Sequence, residues 1–387
     1  IQTVTLEEDE ITDKIFTNEK KKGQIKIIKV DLDNNEILLE GVTFDILDEQ
    51  GNVVDTVVTA ENGEAITKRL PIDQQYTAVE RETKKEYVLT EETQKVELKQ
   101  DEITSITFEN EKIKGYVEIT KIDSKTKETL EGALFGIYNE NNEEVGRIKT
   151  DETGMAISEL LPYGKYYLNE LNSGSAYYLL NENTFEFEII NNHEVVPVEI
   201  DNEPVDIKVD VDKKGTVEIR PGEEVNYTFS NVANNSNVYL ENLKWYDYIP
   251  TDYIRLQKMT TGTWNQDLEY DVYYKTNKSD GYILFKENLS TQENYNLDFT
   301  TLKLQEDEYI TETCFDFGKV DTGFREDTSP TMNCKSLDTL KDKETFTNHT
   351  KTVGVYYGVT AEADSDWTTI VHIPEKPTCP TLPRTGR

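Results

Sequence analysis

The stretch "IQTVTLEEDEITDKIFTNEKKKG", residues 1–23, returns as "TQKVELKQDEITSITFENEKIKG" at residues 93–115, with 13 of the 23 positions identical at an offset of 92. Self-similarity at a fixed period constrains a chain more than any short motif, because each copy must solve the same packing problem with the same elements. The correspondence runs on. "GQIKIIKVD" (23–31) matches "GYVEITKID" (115–123), "LLEGVTFDILDEQGNVV" matches "TLEGALFGIYNENNEEV", and "TAENGEAITKRLP" matches "TDETGMAISELLP". Residues 23–110 and 115–202 are therefore two copies of one unit. Residues 1–22 then read as the last strand of a further copy whose body lies upstream, so the sequence is expected to begin inside a domain.

Within each unit the apolar residues alternate, as in "VTFDI", "YVEIT", "TFEFEI" and "VPVEI", which is the period of strands with one buried face. Turn signals such as "EQGN", "ENG" and "ETG" separate them, and helical periodicity is weak throughout. Short strands with Gly and Asn turns in a unit of this length predict an all-β chain of small sandwiches. The few residues between units ("EKKKG", "EKIKG") predict a stiff row of them.

Composition removes several functions. Lys and Arg number 41 against 76 Asp and Glu, a net charge of −35, whose field repels phosphate backbones and anionic headgroups. Neither nucleic acid nor a membrane surface is an expected partner. No run approaches the roughly 20 apolar residues that a membrane span needs. His193, His349, His372 and three cysteines are too few and too scattered for a metal site, so no metal or other cofactor is expected. Cys314 and Cys334 lie in separate strand-like runs, "YITETCFDF" and "PTMNCKSLD". Two readings stay open for them, a disulfide in an exported protein or two inert buried thiols.

One constellation carries chemistry. Each unit has a Lys in its first strand, a Glu after "LP…Y" in its middle and an Asn in its last strand: Lys29, Glu80 and Asn110, then Lys121, Glu170 and Asn202. Lys to Asn spans 81 residues both times (110 − 29 and 202 − 121), and Asn18, Asn110 and Asn202 are 92 apart. Three such residues are ordinarily solvated, and it is the repeated spacing that argues otherwise. If the strands turn them inward, burial lowers the Lys pKa and raises that of Glu. A neutral amine is a nucleophile, and a protonated carboxyl can polarise the Asn carbonyl and pass a proton to departing ammonia. The expected product is a Lys–Asn side-chain amide, made once and inside the protein. Asn18 has no upstream Lys in this sequence and is expected to be unreacted.

These units resemble the SpaA-type, Cna B-like domains of Gram-positive surface proteins and pili, in which a Lys–Asn isopeptide bond forms with a catalytic Glu. "TKID" supplies Lys121, "YYLNE" (166–170) is similar to the family's Y-x-L-x-E box, and "IDNEP" supplies Asn202. "KVD", "YTAVE" (76–80) and "FENEK" fill the same places in the first unit. Ala78 stands where Leu is usual, and the Ala-Pro-x-Gly-Tyr that often follows the Glu has become "RETKKEY" and "LNSGSAYY". These departures bear on loop shape more than on chemistry. The resemblance implies immunoglobulin-like or prealbumin-like β-sandwiches with Glu80 and Glu170 as catalytic groups.

The second half departs from the repeat. "KKGTVEIRPGEEVNYTFSN" followed by "LENLKWYDYIP" resembles the DUF11-like sandwich domains of surface proteins, and implies a larger β-sandwich. A related pilin domain type uses Asp in place of Glu. By that pattern Lys213, Asp247 and Asn348 are candidates, with the lysine open among Lys208, Lys213 and Lys214. "DLDNNE" and "VDVDKKG" lack the Gly and the final acidic residue of a calcium loop and read as surface turns. At the end, Leu382, Pro383, Arg384, Thr385 and Gly386 resemble the LPxTG sorting signal, whose Thr–Gly bond a sortase cleaves to join Thr385 to cell-wall peptidoglycan.

The expected layout is a terminal strand (1–22), two SpaA-type domains (23–112 and 113–203), a DUF11-like sandwich (204–375) and a wall-anchoring linker (376–387). The expected function is an extracellular, cell-wall-anchored stalk that presents an upstream adhesive region, with no catalytic turnover. Two alternatives stand beside it. The C-terminal sandwich could bind host extracellular matrix or a glycan, or the chain could be a sortase-polymerised pilus subunit, although the "YPK"-like motif that a pilin needs is absent.

Overall fold

The computed structural model describes residues 3–374, and the chain falls into two compact units, Ile1–Glu203 and Pro204–Arg387. Apart from a 3₁₀ turn at Phe299–Thr301, the regular structure of the described residues is β-strand. The sorting-signal residues Leu382 to Gly386 lie outside the described residues.

The first unit holds the two copies, and each is a sandwich of two four-stranded sheets. In the first copy the strand Lys22–Asp31 is central, antiparallel to Glu64–Ile66 and Leu70–Pro71 and parallel to the last strand, Ile103–Asn110. The facing sheet runs Val53–Val58, Thr43–Leu47, Gln75–Glu82, Thr93–Glu97. The second copy repeats this with Lys114–Asp123 parallel to Val195–Asn202, and with Gly164–Asn172 in the facing sheet.

Side chains alternate across a pleated strand, and that period sets the cores. Ile25 and Ile27 point inward against Phe44, Ile46, Tyr76, Ala78 and Phe108. Val117, Ile119, Phe135, Ile137, Tyr166, Leu168 and Ile200 do the same in the second copy. The copies meet through a short continuous joint. Val88 N–H donates to the Glu111 carbonyl and Ile113 N–H to the Glu86 carbonyl, each at 2.9 Å. Lys114 pairs with Asp33 at 2.6 Å, and Val88 packs against the second core.

Residues 3–20 form no strand and are exposed. A strand needs a neighbour to complete its ladder, and among the described residues these pair with no strand.

The second unit is a larger sandwich. A five-stranded sheet runs Val209–Gly215, Glu224–Asn234, Thr331–Ser336, Ile254–Thr260, Asn296–Asp298. A seven-stranded sheet runs Glu218–Ile219, Val359–Val371, Thr345–Tyr356, Leu240–Tyr248, Ile310–Val320, Glu269–Thr276, Ile283–Ser290. Between them Trp245 packs edge-on to Phe229 and against Phe315, with ring centroids 4.6 Å apart in both pairs.

Cys314 and Cys334 are both buried and free, so the disulfide reading does not hold here. Strand alternation gives the reason. Phe315 and Phe317 occupy the inner face of their strand, which leaves Cys314 on the outer face, where it lies opposite Tyr246 and Tyr273. Cys334 is on the other sheet, alternating with buried Met332 and Ser336.

Candidate functional site

Three buried lysines dominate the interior chemistry. Lys29 follows Ile25 and Ile27 on the inward face, Glu80 follows Tyr76 and Ala78, and Asn110 follows Phe108. The alternation that builds the core therefore delivers three polar groups to its end. Phe44 opposes Glu80 across the facing sheet, while Asp31 is in register with Asn110 on the parallel pair.

The contacts are close and dry. Lys29 Nζ donates to Asn110 Oδ1 at 2.5 Å and lies 2.9 Å from Glu80 Oε2. Asn110 Nδ2 donates to Glu80 Oε1 at 2.5 Å and to Thr83 Oγ1 at 2.8 Å. The Lys29 and Glu80 side chains have no solvent exposure. Burial pushes the Lys29 amine below its ordinary value, against the opposing pull of Glu80.

The second copy repeats the triad. Lys121 Nζ donates to Asn202 Oδ1 at 2.6 Å and to the Ile200 carbonyl at 3.2 Å. Asn202 Nδ2 donates to Glu170 Oε1 at 2.9 Å, and Lys121 lies 3.6 Å from that same oxygen. Burial lowers Lys121 to about 8 and raises Glu170. The other carboxylate oxygen, Glu170 Oε2, accepts the Asn181 backbone N–H at 2.6 Å.

In the second unit Lys213, Asp247 and Asn348 also converge. Lys213 Nζ hydrogen-bonds both Asp247 Oδ2 and Asn348 Oδ1, and the Tyr227 and Phe229 rings lie 4.7 and 4.8 Å from it. Burial lowers Lys213 and raises Asp247. The Asn348 amide also interacts with the Asp247 carboxyl and the Tyr227 hydroxyl. Of the competing lysines, Lys208 and Lys214 are exposed. The sequence held the signal that decides among them, because Val209, Val211 and Lys213 alternate on one face.

Asn18, the remaining candidate, is exposed. Four residues escaped the sequence reading. Asp31 and Asp123 each close the turn after the lysine strand, accepting two backbone N–H groups and a Tyr hydroxyl, from Tyr87 at 2.8 Å and from Tyr178 at 2.9 Å. The shared "VD" and "ID" two residues after each lysine was their signal. Thr83 and Asn181 had none, since they lie in the loops that differ between copies.

In all three places a lysine nitrogen sits against the carbonyl of an asparagine amide, with a carboxyl beside the pair. A neutral lysine there can attack Cγ. In the two repeats the leaving nitrogen Nδ2 already points at the Glu oxygen that would protonate it.

Comparison with known proteins bears on the repeats. A family model described as the SpaA prealbumin-like fold domain matches residues 23–112 and 115–204. The trypsin-resistant surface T6 protein of Streptococcus pyogenes serotype M6 is 37% identical over 70 residues, 18% of this chain and 13% of that protein. Among solved structures, the Bacillus anthracis TIE protein shares 25% identity over 78% of this chain and 49% of its own, with a TM-score of 0.45. The Streptococcal ancillary pilin shares 27% over 48% of this chain and 63% of its own, with a TM-score of 0.25. The chain thus spans less than two thirds of each of these relatives. Residues 23–112 and 115–204 are two tandem domains of the SpaA prealbumin-like family.

Proposed function

We propose that this chain is a structural stalk segment of a Gram-positive surface protein or pilin, stapled internally by Lys29–Asn110 and Lys121–Asn202 isopeptide bonds and attached to cell-wall peptidoglycan by a sortase at Thr385. The observation that carries the reading is the recurrence of a fully buried Lys–Glu–Asn triad, with Lys on Asn Oδ1 and Glu on Asn Nδ2, in both SpaA domains. In each, Lys Nζ attacks Asn Cγ, the Cγ–Nδ2 bond breaks, and the nitrogen leaves as ammonia with a proton relayed from Nζ through the Glu carboxyl.

The same reaction is proposed for Lys213 and Asn348 with Asp247 as the carboxyl. Its support is geometric: Lys213 Nζ hydrogen-bonds both Asn348 Oδ1 and Asp247 Oδ2 in a buried cluster. Intact mass of the chain tests the proposal: a deficit of two ammonia molecules supports the repeat bonds, a third supports the Asp site, and the unmodified mass ends it.

A second reading, in which the larger sandwich binds host matrix or a glycan, is favoured by Tyr282, Ile283 and Leu284, consecutive and about 40% exposed or more where an edge strand begins. Matrix-protein and glycan-array binding by the chain tests it, and loss of binding on Tyr282→Ala would locate the site.

A further inference from the structure

We infer that Thr83 is a positioning residue for the Lys29–Asn110 bond, and that the two SpaA domains orient their reacting groups by different devices. The inference rests on the isopeptide reading and adds a residue that the repeat pattern does not supply.

The first domain secures the group that leaves. Asn110 Nδ2 has two N–H bonds, one given to Glu80 Oε1 at 2.5 Å and the other to Thr83 Oγ1 at 2.8 Å, while Oδ1 takes Lys29 at 2.5 Å. With three partners the amide plane has one orientation, carbonyl to the nucleophile and nitrogen to the acid. Glu80 Oε2, by contrast, is met only by the Lys29 side-chain nitrogen, 2.9 Å away, and by no backbone N–H.

The second domain secures the group that donates the proton. Glu170 Oε2 is held by the Asn181 N–H at 2.6 Å, leaving Oε1 for Asn202 Nδ2. Ser173, three residues after Glu170 as Thr83 is after Glu80, turns its hydroxyl to the Ser175 carbonyl at 2.8 Å. The two loops, "RETKKEYVLT" and "LNSGSAYYLLN", have thus traded one constraint for another.

Attack of Nζ on Cγ turns the planar amide tetrahedral, and Nδ2 must then face Glu80 to take the proton with which it departs. Without the Thr83 hydroxyl, one N–H loses its partner and the amide gains freedom to turn about Cβ–Cγ, which places Oδ1 against the acid and stalls the reaction.

The test follows both bonds in one chain. Full-length protein from a short cell-free synthesis is quenched over a time course, and the Lys29–Asn110 and Lys121–Asn202 peptides are quantified by mass. Thr83→Val is expected to slow the first bond about tenfold and leave the second at its wild-type rate, and Thr83→Ser restores the first. Equal rates in Thr83→Val and wild type overturn the inference. So does failure of Thr83→Ser to rescue, or a loss of melting temperature on adding Thr83→Val to Lys29→Met that is large enough to account for the slowing. A wild-type chain that releases no ammonia at either site instead ends the isopeptide reading itself.

Discussion

In the SpaA domains the lysine and asparagine stand on neighbouring parallel strands of one sheet, and the carboxyl reaches them from the facing sheet. In the second unit the asparagine and the aspartate share the seven-stranded sheet, and the lysine crosses from the other. The chemistry needs only a dry meeting of amine, amide and acid, so either arrangement serves. What changes is the element that becomes covalent. The proposed repeat bonds would tie strand to strand along an existing ladder, whereas a Lys213–Asn348 bond would tie sheet to sheet through the core.

The largest expected effects separate the two arrangements. Asp247→Asn should retain one ammonia in the second unit and remove closure of a 135-residue loop, worth about 5 kcal/mol of unfolded-state entropy. Peptide mass and chemical denaturation check this, and a wild-type peptide that has lost no ammonia would show that the cross-sheet bond does not form. Glu80→Ala and Glu170→Ala should each restore one ammonia and cost about 4 kcal/mol for an 81-residue loop. Differential scanning calorimetry should show one transition lowered in each case while the other units keep theirs.

A smaller effect is kinetic. In the second domain the reactive arrangement is neutral Lys121 beside protonated Glu170, so the pair must hold one proton. Burial brings Lys121 down to about 8, and above that pH the shared proton is lost. The rate of ammonia loss should therefore fall as pH rises through about 8, and a rate that keeps climbing well beyond it would remove the acid role of Glu170. The smallest effect concerns the thiols. Mild oxidation should leave Cys314 and Cys334 unlinked, because their side chains occupy opposite faces of different sheets, and thiol counting on denatured protein checks it.

Much of this was legible in the sequence. Period-two alternation gave the strands, and the repeat turned Lys29, Glu80 and Asn110 from three polar residues into a pattern. Thr83 and Asn181 were not legible, because repetition reveals only what both copies keep, and each lies in a loop that one copy solved alone. The ambiguity among Lys208, Lys213 and Lys214 was of another kind. Alternation from Val209 settles it, and a single exposed position separates the buried amine from a solvated one. Residues 3–20 carry a strand-like sequence without a strand, because a sequence fixes a tendency while a ladder needs a neighbour.

The position of Asn348 has one further consequence. In each SpaA domain the asparagine closes the last strand, so no part of that strand would lie outside a Lys–Asn covalent loop. In the second unit the strand Val359–Val371 comes after Asn348 and is held by an antiparallel ladder and a short parallel pairing with Glu218–Ile219, neither of them covalent. With the third bond formed, a pull on the C-terminal side could free the 23 residues from 348 to 371 (371 − 348), roughly 80 Å of extended chain, before it met a covalent stop. The repeats would yield less, since in their first strands only residues 22–28 and 114–120 lie ahead of the lysine and outside the loop.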